Sequence, residues 1–303
     1  MRGRLIASSM RRVVNSIRLS LASALKPLAP LRGTGRLERL LAPYSVVKDI
    51  PARAIPYPIV VSQQDRSVHW YGSPKSFLGW NVWYRGSYEL ETLAVLATYL
   101  LPGMRMIEVG ANEGYHTIFA AMCVGPTGRI VAYEPGPNQR ARLEENVCRN
   151  SLKGRIEIRA AALADKVGEA TFRIPADNEW NQGTGAFEQV YDSMERTRSI
   201  SVKVSTLDQD VGSEDCSLLK MDVQGAEAMV LRGGFQLLKR CLPIVYFEAT
   251  PGDPHVKESM ELLQGLGYRV RRVTRHWRSP YHRLEPPESA GGLNCLALYE
   301  PSR

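Results

Sequence analysis

The chain has 303 residues, 44% of them hydrophobic, which is enough to bury a sizeable core in one or two domains and excludes a disordered protein. Net charge is +8, but nine of the 39 Lys and Arg and only one of the 31 acids fall within residues 1–40; the nearly neutral remainder gives no support to nucleic-acid binding. Five scattered cysteines (Cys123, Cys148, Cys216, Cys241, Cys295) with no C-x-x-C pair read as reduced thiols of a cytoplasmic protein and argue against zinc.

Residues 1–40 form a first segment, rich in Arg and Ser, with Leu5, Ile6, Met10, Val13, Val14, Ile17 and Leu21 at nearly helical spacing. A basic amphipathic helix of this kind can lie on an anionic membrane surface and make the protein peripheral there. A disordered tail, a helix packed on the domain, or a transit peptide fits the same residues. No apolar run approaches the roughly 20 residues of a membrane span. Residues 41–86 form a second segment containing Pro43, Pro51, Pro56, Pro58 and Pro74 with Trp70, Trp80 and Trp83. The prolines predict short strands and loops. The aromatics suit either an acceptor pocket or the cover of a domain edge. From residue 87 to 303 the pattern is that of a larger α/β domain. Ser87 to Leu101 reads as its first helix, with Ser87 as cap, Leu90, Leu93, Ala94 and Ala97 repeating at three and four, and Pro102-Gly103 as the stop.

Arg105 to Thr117 is the most informative stretch: a short buried strand (Met106 to Val109), a turn from Gly110 to Gly114, then a helix start. Gly110 suits a tight strand-to-helix turn with a ligand close to the main chain, and Gly114 repeats this four residues later. The helix N-terminus presents free N–H groups to whatever sits in the turn. A dinucleotide fingerprint would need glycine where Asn112 and Tyr115 stand. Glu108 and Glu113 would repel a pyrophosphate but attract a ligand carrying a sulfonium and an ammonium, such as S-adenosylmethionine. Arg129 to Tyr133 is the second strand, and Glu134 at its end can accept from both hydroxyls of a ribose. A plain Rossmann-like turn binding NAD remains an alternative.

Pro135-Gly-Pro137 opens a helix that runs to Asn150, and Arg155 to Arg159 alternates as a third strand. The small residues after it, Ala160 to Ala162, would let an adenine ring approach the backbone. Two β-rich runs (Ala170 to Ile174, Ile200 to Val204) bracket a long loop with Asn178, Trp180, Asn181, Gly183 and Gly185, either an acceptor-recognition element or a flexible hairpin. Ser217 to Met221 is the fourth core strand, ending at Asp222, and Pro243 to Phe247 the fifth, ending at Glu248. Ligands in open α/β sheets gather at the carboxyl ends of the strands where the strand order reverses, so Glu108, Glu134 and Asp222 should share one cleft. Asp222 is the leading candidate to take an acceptor's proton, with Glu248 as a second base. No two histidines have metal-ligand spacing on one helix. Val256 to Leu266 reads as a helix, Tyr268 to Val273 and Leu293 to Tyr299 as strands. Between those strands, Arg275, Arg278 and Arg283 suit an anionic acceptor.

Three motifs in register, Glu108-Val-Gly-Ala-Asn-Glu-Gly-Tyr-His-Thr117, Tyr133-Glu-Pro-Gly-Pro-Asn138 and Lys220-Met-Asp-Val-Gln-Gly-Ala-Glu227, resemble the FkbM family of S-adenosylmethionine-dependent methyltransferases over about Tyr88 to Glu300. The resemblance implies a class I methyltransferase fold, a mostly parallel sheet with helices on both faces. It also implies O-methylation of a sugar, glycolipid, polysaccharide or secondary-metabolite hydroxyl. Glu108, Gly110, Asn112, Gly114, Tyr115, Glu134, Pro135, Asn138 and Ala162 would then hold the cofactor. Asp222 and Glu248 would serve the acceptor, and a Tyr-Glu pair like Tyr88-Glu89 stands near the cofactor. The chain departs from the family's Asp-Val-Glu-Gly at Gln224, which weakens any metal-assisted mechanism. A scaffold protein that has kept the fold without the chemistry is the other alternative.

Overall fold

The structure, a computed structural model, describes residues 55–58, 68–73, 76–176, 185–188, 197–250, 254–275, 282–288 and 293–300. The basic segment 1–40, the loop residues Asn178, Trp180, Asn181 and Gly183, and Arg278 lie outside them. Among the described residues no helix is long and apolar enough to cross a membrane. The chain divides into two compact units, one holding Tyr71–Tyr88 and the other Glu89–Arg303 together with Trp70.

Two short strands, β1 (Ile55–Pro58) and β2 (His69–Gly72), come first. The first unit then corrects the expectation of short strands and loops, because Phe77–Arg85 is a helix, α1. No proline falls within it. The Ser76 side chain caps it by accepting the Gly79 N–H at 3.1 Å, and Gly86, at φ 79°, closes it. Trp80 and Tyr84, four residues apart, stack at 5.6 Å on its buried side.

In the second unit the predicted first helix is α2 (Leu90–Tyr99), starting two residues later than a Ser87 cap predicts. Its N-cap is Glu89, in the left-handed region at φ 46° and making no side-chain cap bond. Instead Glu89 accepts the Thr92 hydroxyl at 3.0 Å. The alternation β3 (Arg105–Val109), α3 (Tyr115–Val124), β4 (Arg129–Tyr133), α4 (Pro137–Arg149) and β5 (Ile156–Arg159) follows the predicted order. Next come β6 (Ala162–Leu163), β7 (Gly168–Pro175), β8 (Ala186–Phe187), β9 (Thr197–Ser205) and α5 (Leu207–Val211). β10 (Leu218–Met221), α6 (Glu227–Gly233), α7 (Phe235–Cys241) and β11 (Ile244–Glu248) complete the parallel core. The chain ends with α8 (Pro254–Gly265), β12 (Tyr268–Arg275), β13 (His282–Glu285) and β14 (Asn294–Tyr299).

The main sheet has the order β13-β12-β14-β11-β10-β3-β4-β5. The five strands from β11 to β5 run parallel, and β14 is antiparallel between β11 and β12. This is a mostly parallel α/β sheet, as the resemblance implies. Alternate residues on each strand face opposite layers. Ile107, Val109, Leu219, Met221, Val245 and Phe247 pack with Val230, Leu231, Leu237, Leu238 and Leu263 of α6, α7 and α8. Tyr246 and Leu296 point the other way, with Val95 of α2. The chain leaves β3 toward β4 and β5, then returns to add β10 on the other side of β3. The strand order therefore reverses between β3 and β10, which opens a crevice at their carboxyl ends. The two β-rich runs pair over eight residues each, Gly168↔Val204 to Pro175↔Thr197, as the middle of a second sheet, β6-β9-β7-β8.

Candidate active site

At the end of β3 the chain turns through Gly110 (φ 82°), Asn112 (φ 51°) and Gly114 (φ 84°). Gly110 is required twice over. Its backbone is left-handed, and a Cβ there would sit 2.0 Å from the Asp222 carbonyl oxygen, where the two strand ends meet. Gly114 has a packing reason, since its Cβ would meet Leu143 of α4 at 2.5 Å. The turn is tied to β4 by the Gly110 and Ala111 N–H groups, which both donate to the Tyr133 carbonyl at 3.0 Å.

Glu134, one step past β4, is 7% exposed. Its carboxyl accepts the Asn112 N–H at 2.8 Å on Oε2 and the Gly136 N–H at 2.8 Å on Oε1. Burial pushes its pKa up to about 7, and the nearby Asp222 charge adds to this against the pull of the two N–H bonds and Arg140. Each oxygen keeps acceptor capacity toward the cleft.

The cleft itself is lined by Gly110, Asn112, Glu134, Pro135, Gly136, Gln139, Ala162 and Asp222 together with Val109, Tyr133, Ala161, Leu163 and Val223. Its far wall is apolar and comes from the second sheet: Phe172 and Ile174 of β7, Gly185, and Phe187 of β8. Phe172 and Phe187 meet edge to face at 5.7 Å. A site with a turn of open backbone, a carboxyl for hydroxyl donors and an apolar slot fits an adenosine with its ribose.

Of the predicted cofactor residues, the structure brings Gly110, Asn112, Glu134, Pro135 and Ala162 to this cleft and leaves four elsewhere. Asn138 is exposed on α4, and its neighbour Gln139 takes the lining position. The signal was the stripe Gln139, Leu143, Asn146, Val147, the buried face of the helix. Tyr115 is buried edge to face against Trp70 at 5.5 Å, and the Trp70 indole N–H donates to the Glu113 carbonyl at 3.1 Å. Gly114 lies against Leu143 as above.

Glu108 corrects the expectation of one shared cleft for three acids. It is 1% exposed and faces α3, where Oε2 accepts the Thr117 hydroxyl at 2.6 Å and Oε1 lies 3.1 Å from Lys220 Nζ on β10. The reason is register: Glu108 and Lys220 are directly paired on neighbouring strands, so both project from the same face. Burial works against the Lys220 charge, but Glu108, Asp222 and Glu89 outweigh it and raise its pKa. His116, buried and near Lys220, is pushed well below the usual imidazole range. Its Nε2, 3.7 Å from Glu89 Oε2, is therefore a neutral neighbour rather than an ion-pair partner. Glu113 is also buried; its pKa is raised by burial and lowered in part by Arg142, 3.8 Å away.

Asp222, one step past β10, and Glu248, the last residue of β11, stand at the carboxyl ends of adjacent strands, and Gln224 joins them. Its Nε2 donates to Asp222 Oδ1 and to Glu248 Oε2, each at 2.9 Å. Thr250 donates to Glu248 Oε1 at 3.2 Å. Burial, then the Asp222 charge, pushes the Glu248 pKa up to about 8. Gln224, at φ 53°, holds a strained backbone to do this. Among the described residues no cluster of three or more His, Cys, Asp or Glu side chains is placed to hold a metal.

Residues 108–270 match the model of the methyltransferase FkbM domain. The chain is 26% identical over 197 residues to the 31-O-demethyl-FK506 methyltransferase FkbM of Streptomyces tacrolimicus, covering 56% of this chain and 75% of that protein. It is 27% identical over 153 residues to the 2-O-methyltransferase NoeI of Sinorhizobium fredii, covering 46% and 60%. It also resembles a protein-L-isoaspartate O-methyltransferase of Triticum aestivum, 39% identical over 82 residues, covering 27% and 32%. The chain thus spans less than two thirds of the length of the last two relatives. With more than half of its residues inside the domain match, and with this sheet and turn, the chain belongs to the FkbM family of S-adenosylmethionine-dependent methyltransferases.

Proposed function

We propose that this protein transfers the methyl group of S-adenosylmethionine to a hydroxyl oxygen of a small-molecule or glycan acceptor. The observation that carries the reading is the convergence of Gly110, Glu134 and Asp222 at the point where the strand order reverses, opposite the apolar wall of Phe172 and Phe187. When bound, the cofactor supplies an electrophilic methyl group on a positively charged sulfur. Glu134 would hold the two ribose hydroxyls, Asn112 and Gly110 the chain beside them, and Ala162, Phe172 and Phe187 the base. Asp222 would receive the acceptor's hydroxyl proton as its oxygen gains the methyl group, with Glu248 behind it. Most of the acceleration would come from positioning, because an in-line transfer needs its two reacting atoms aligned. The names of all three relatives above specify oxygen as the methylated atom, which supports an oxygen acceptor.

Calorimetric titration of S-adenosylmethionine into the wild type and Glu134→Ala, with NAD as control, tests the cofactor half. Micromolar binding of about −8 kcal/mol that the variant loses is the expected result. NAD binding in its place would revive the oxidoreductase reading, and no binding at all would leave a scaffold. Methyl transfer from labelled cofactor to polyol and glycan panels then tests the acceptor half.

A further inference from the structure

Gln224 stands between the two carboxyls of the acceptor side and spends both hydrogens of its amide on them. An NH2 group has two donors, and here one points to each acid at the same 2.9 Å. Gln224 adopts a left-handed backbone, at φ 53°, that a non-glycine residue avoids. The two acids also lie close enough for the Asp222 charge to act on Glu248.

We propose that Gln224 is a positioning residue that clamps Asp222 and Glu248 into one proton-sharing pair carrying a single negative charge. The inference rests on the acceptor-side reading given above. The pair then offers one anionic oxygen to a neutral hydroxyl, while the second acid holds a proton that stabilises the charge beside it. Two full carboxylates bridged by one amide would repel each other, and a lone one would lack the neighbour that tunes it. The surroundings are consistent with a single net charge. Glu227 on α6 faces Glu248 and adds negative potential, Thr250 donates to it, and Asn294 of β14 is its register partner. Asp222 is felt by Glu134, by Tyr246 and by the buried Lys220 ammonium, the cation of this group.

Carboxyl-carbon NMR titration of the full chain labelled at Asp and Glu tests the clamp without an acceptor or cofactor. In the wild-type background, Asp222→Asn should lower the Glu248 midpoint by about 1 pH unit or more. With Gln224→Met in place, the same Asp222→Asn change should move that midpoint by less than half as much. Gln224→Asn, one methylene too short to reach both acids, should behave like Gln224→Met and serves if the latter fails to fold. An Asp222→Asn shift of unchanged size in both Gln224 variants overturns the clamp, and so does the absence of any shift in the wild-type background. Because the readout is the protein's own carboxyls, failure here leaves the methyl-transfer reading intact, and failure to bind cofactor leaves the clamp intact.

Discussion

Glu108 and Glu134 are acids near the carboxyl ends of adjacent parallel strands, yet they have opposite surroundings. Glu108 lies inside β3 and is spoken for by Lys220 and Thr117. Glu134 lies one step beyond β4 and is held from behind by two backbone N–H groups, with its free acceptor sites toward the cleft. A residue within a strand must point to one face of the sheet and be buried there. A residue just past the end is released from the pleat and can turn into the crevice. Position relative to the strand end, and not the presence of an acid, separates the structural carboxyl from the one available to a ligand.

The largest effect expected on this contrast is from Lys220→Met, which leaves Glu108 as an unpaired buried charge. Urea unfolding should show a loss of about 3–5 kcal/mol. Replacing both partners with apolar residues should recover most of it, since each buried ion also carries a desolvation cost. If Glu108→Gln instead abolished cofactor binding with stability unchanged, the division between the two acids would fail.

Glu134→Gln is expected to act in the opposite sense. Its carboxyl pKa rises on folding from 4.5 to about 7, so its contribution to stability is fully present below pH 4.5 and is lost as pH rises through 7. At pH 8 the neutral amide removes a buried charge worth up to about 3 kcal/mol but keeps one acceptor oxygen for the two backbone N–H groups. The net gain in stability should therefore be smaller, while cofactor affinity falls about a hundredfold. Glu248, raised to about 8, adds a loss of stability of the same sign at slightly higher pH. Denaturation of the wild type across pH 5 to 9 should therefore show stability declining from about pH 5 to about 8 and levelling off above that. Cofactor binding, by contrast, should strengthen from pH 6 to 8, because a carboxylate accepts from two hydroxyls only when ionised. Calorimetry in buffers of different ionisation enthalpy would detect the accompanying proton release.

Smaller effects sharpen the picture of the cleft. Gly110→Ala should cost about 2 kcal/mol in thermal unfolding, because it adds a left-handed strain and a contact with the Asp222 carbonyl. Phe187→Leu should weaken cofactor binding severalfold, about 1 kcal/mol, if the second sheet forms the wall against the base. An unchanged affinity would place the base elsewhere.

The order of strands and helices was legible because its signals are local. Glycine turns, apolar runs and proline stops at Gly110, Met106–Val109 and Pro102 need no partner to be read. The strand-end acids Glu134 and Asp222 were legible for the same reason, since the end of an apolar run marks the end of a strand. The α1 helix escaped because proline density around it outweighed a clear Ser76 cap and Gly86 stop. Gln139 was displaced by its neighbour Asn138, because helix phase at the first turn depends on how α4 packs.

The sequence by itself determined a glycine-turned nucleotide loop, an acid after the second strand, a second acid after the fourth, and a family. The tertiary structure decided which acids face a ligand, through the pairing of Glu108 with Lys220 across two strands. It also decided that Phe172 and Phe187, far beyond the turn in sequence, line the cleft, and that Gln224 reaches both Asp222 and Glu248. These are contacts between segments distant in sequence. Their geometry follows from strand register and sheet packing, which no local pattern encodes.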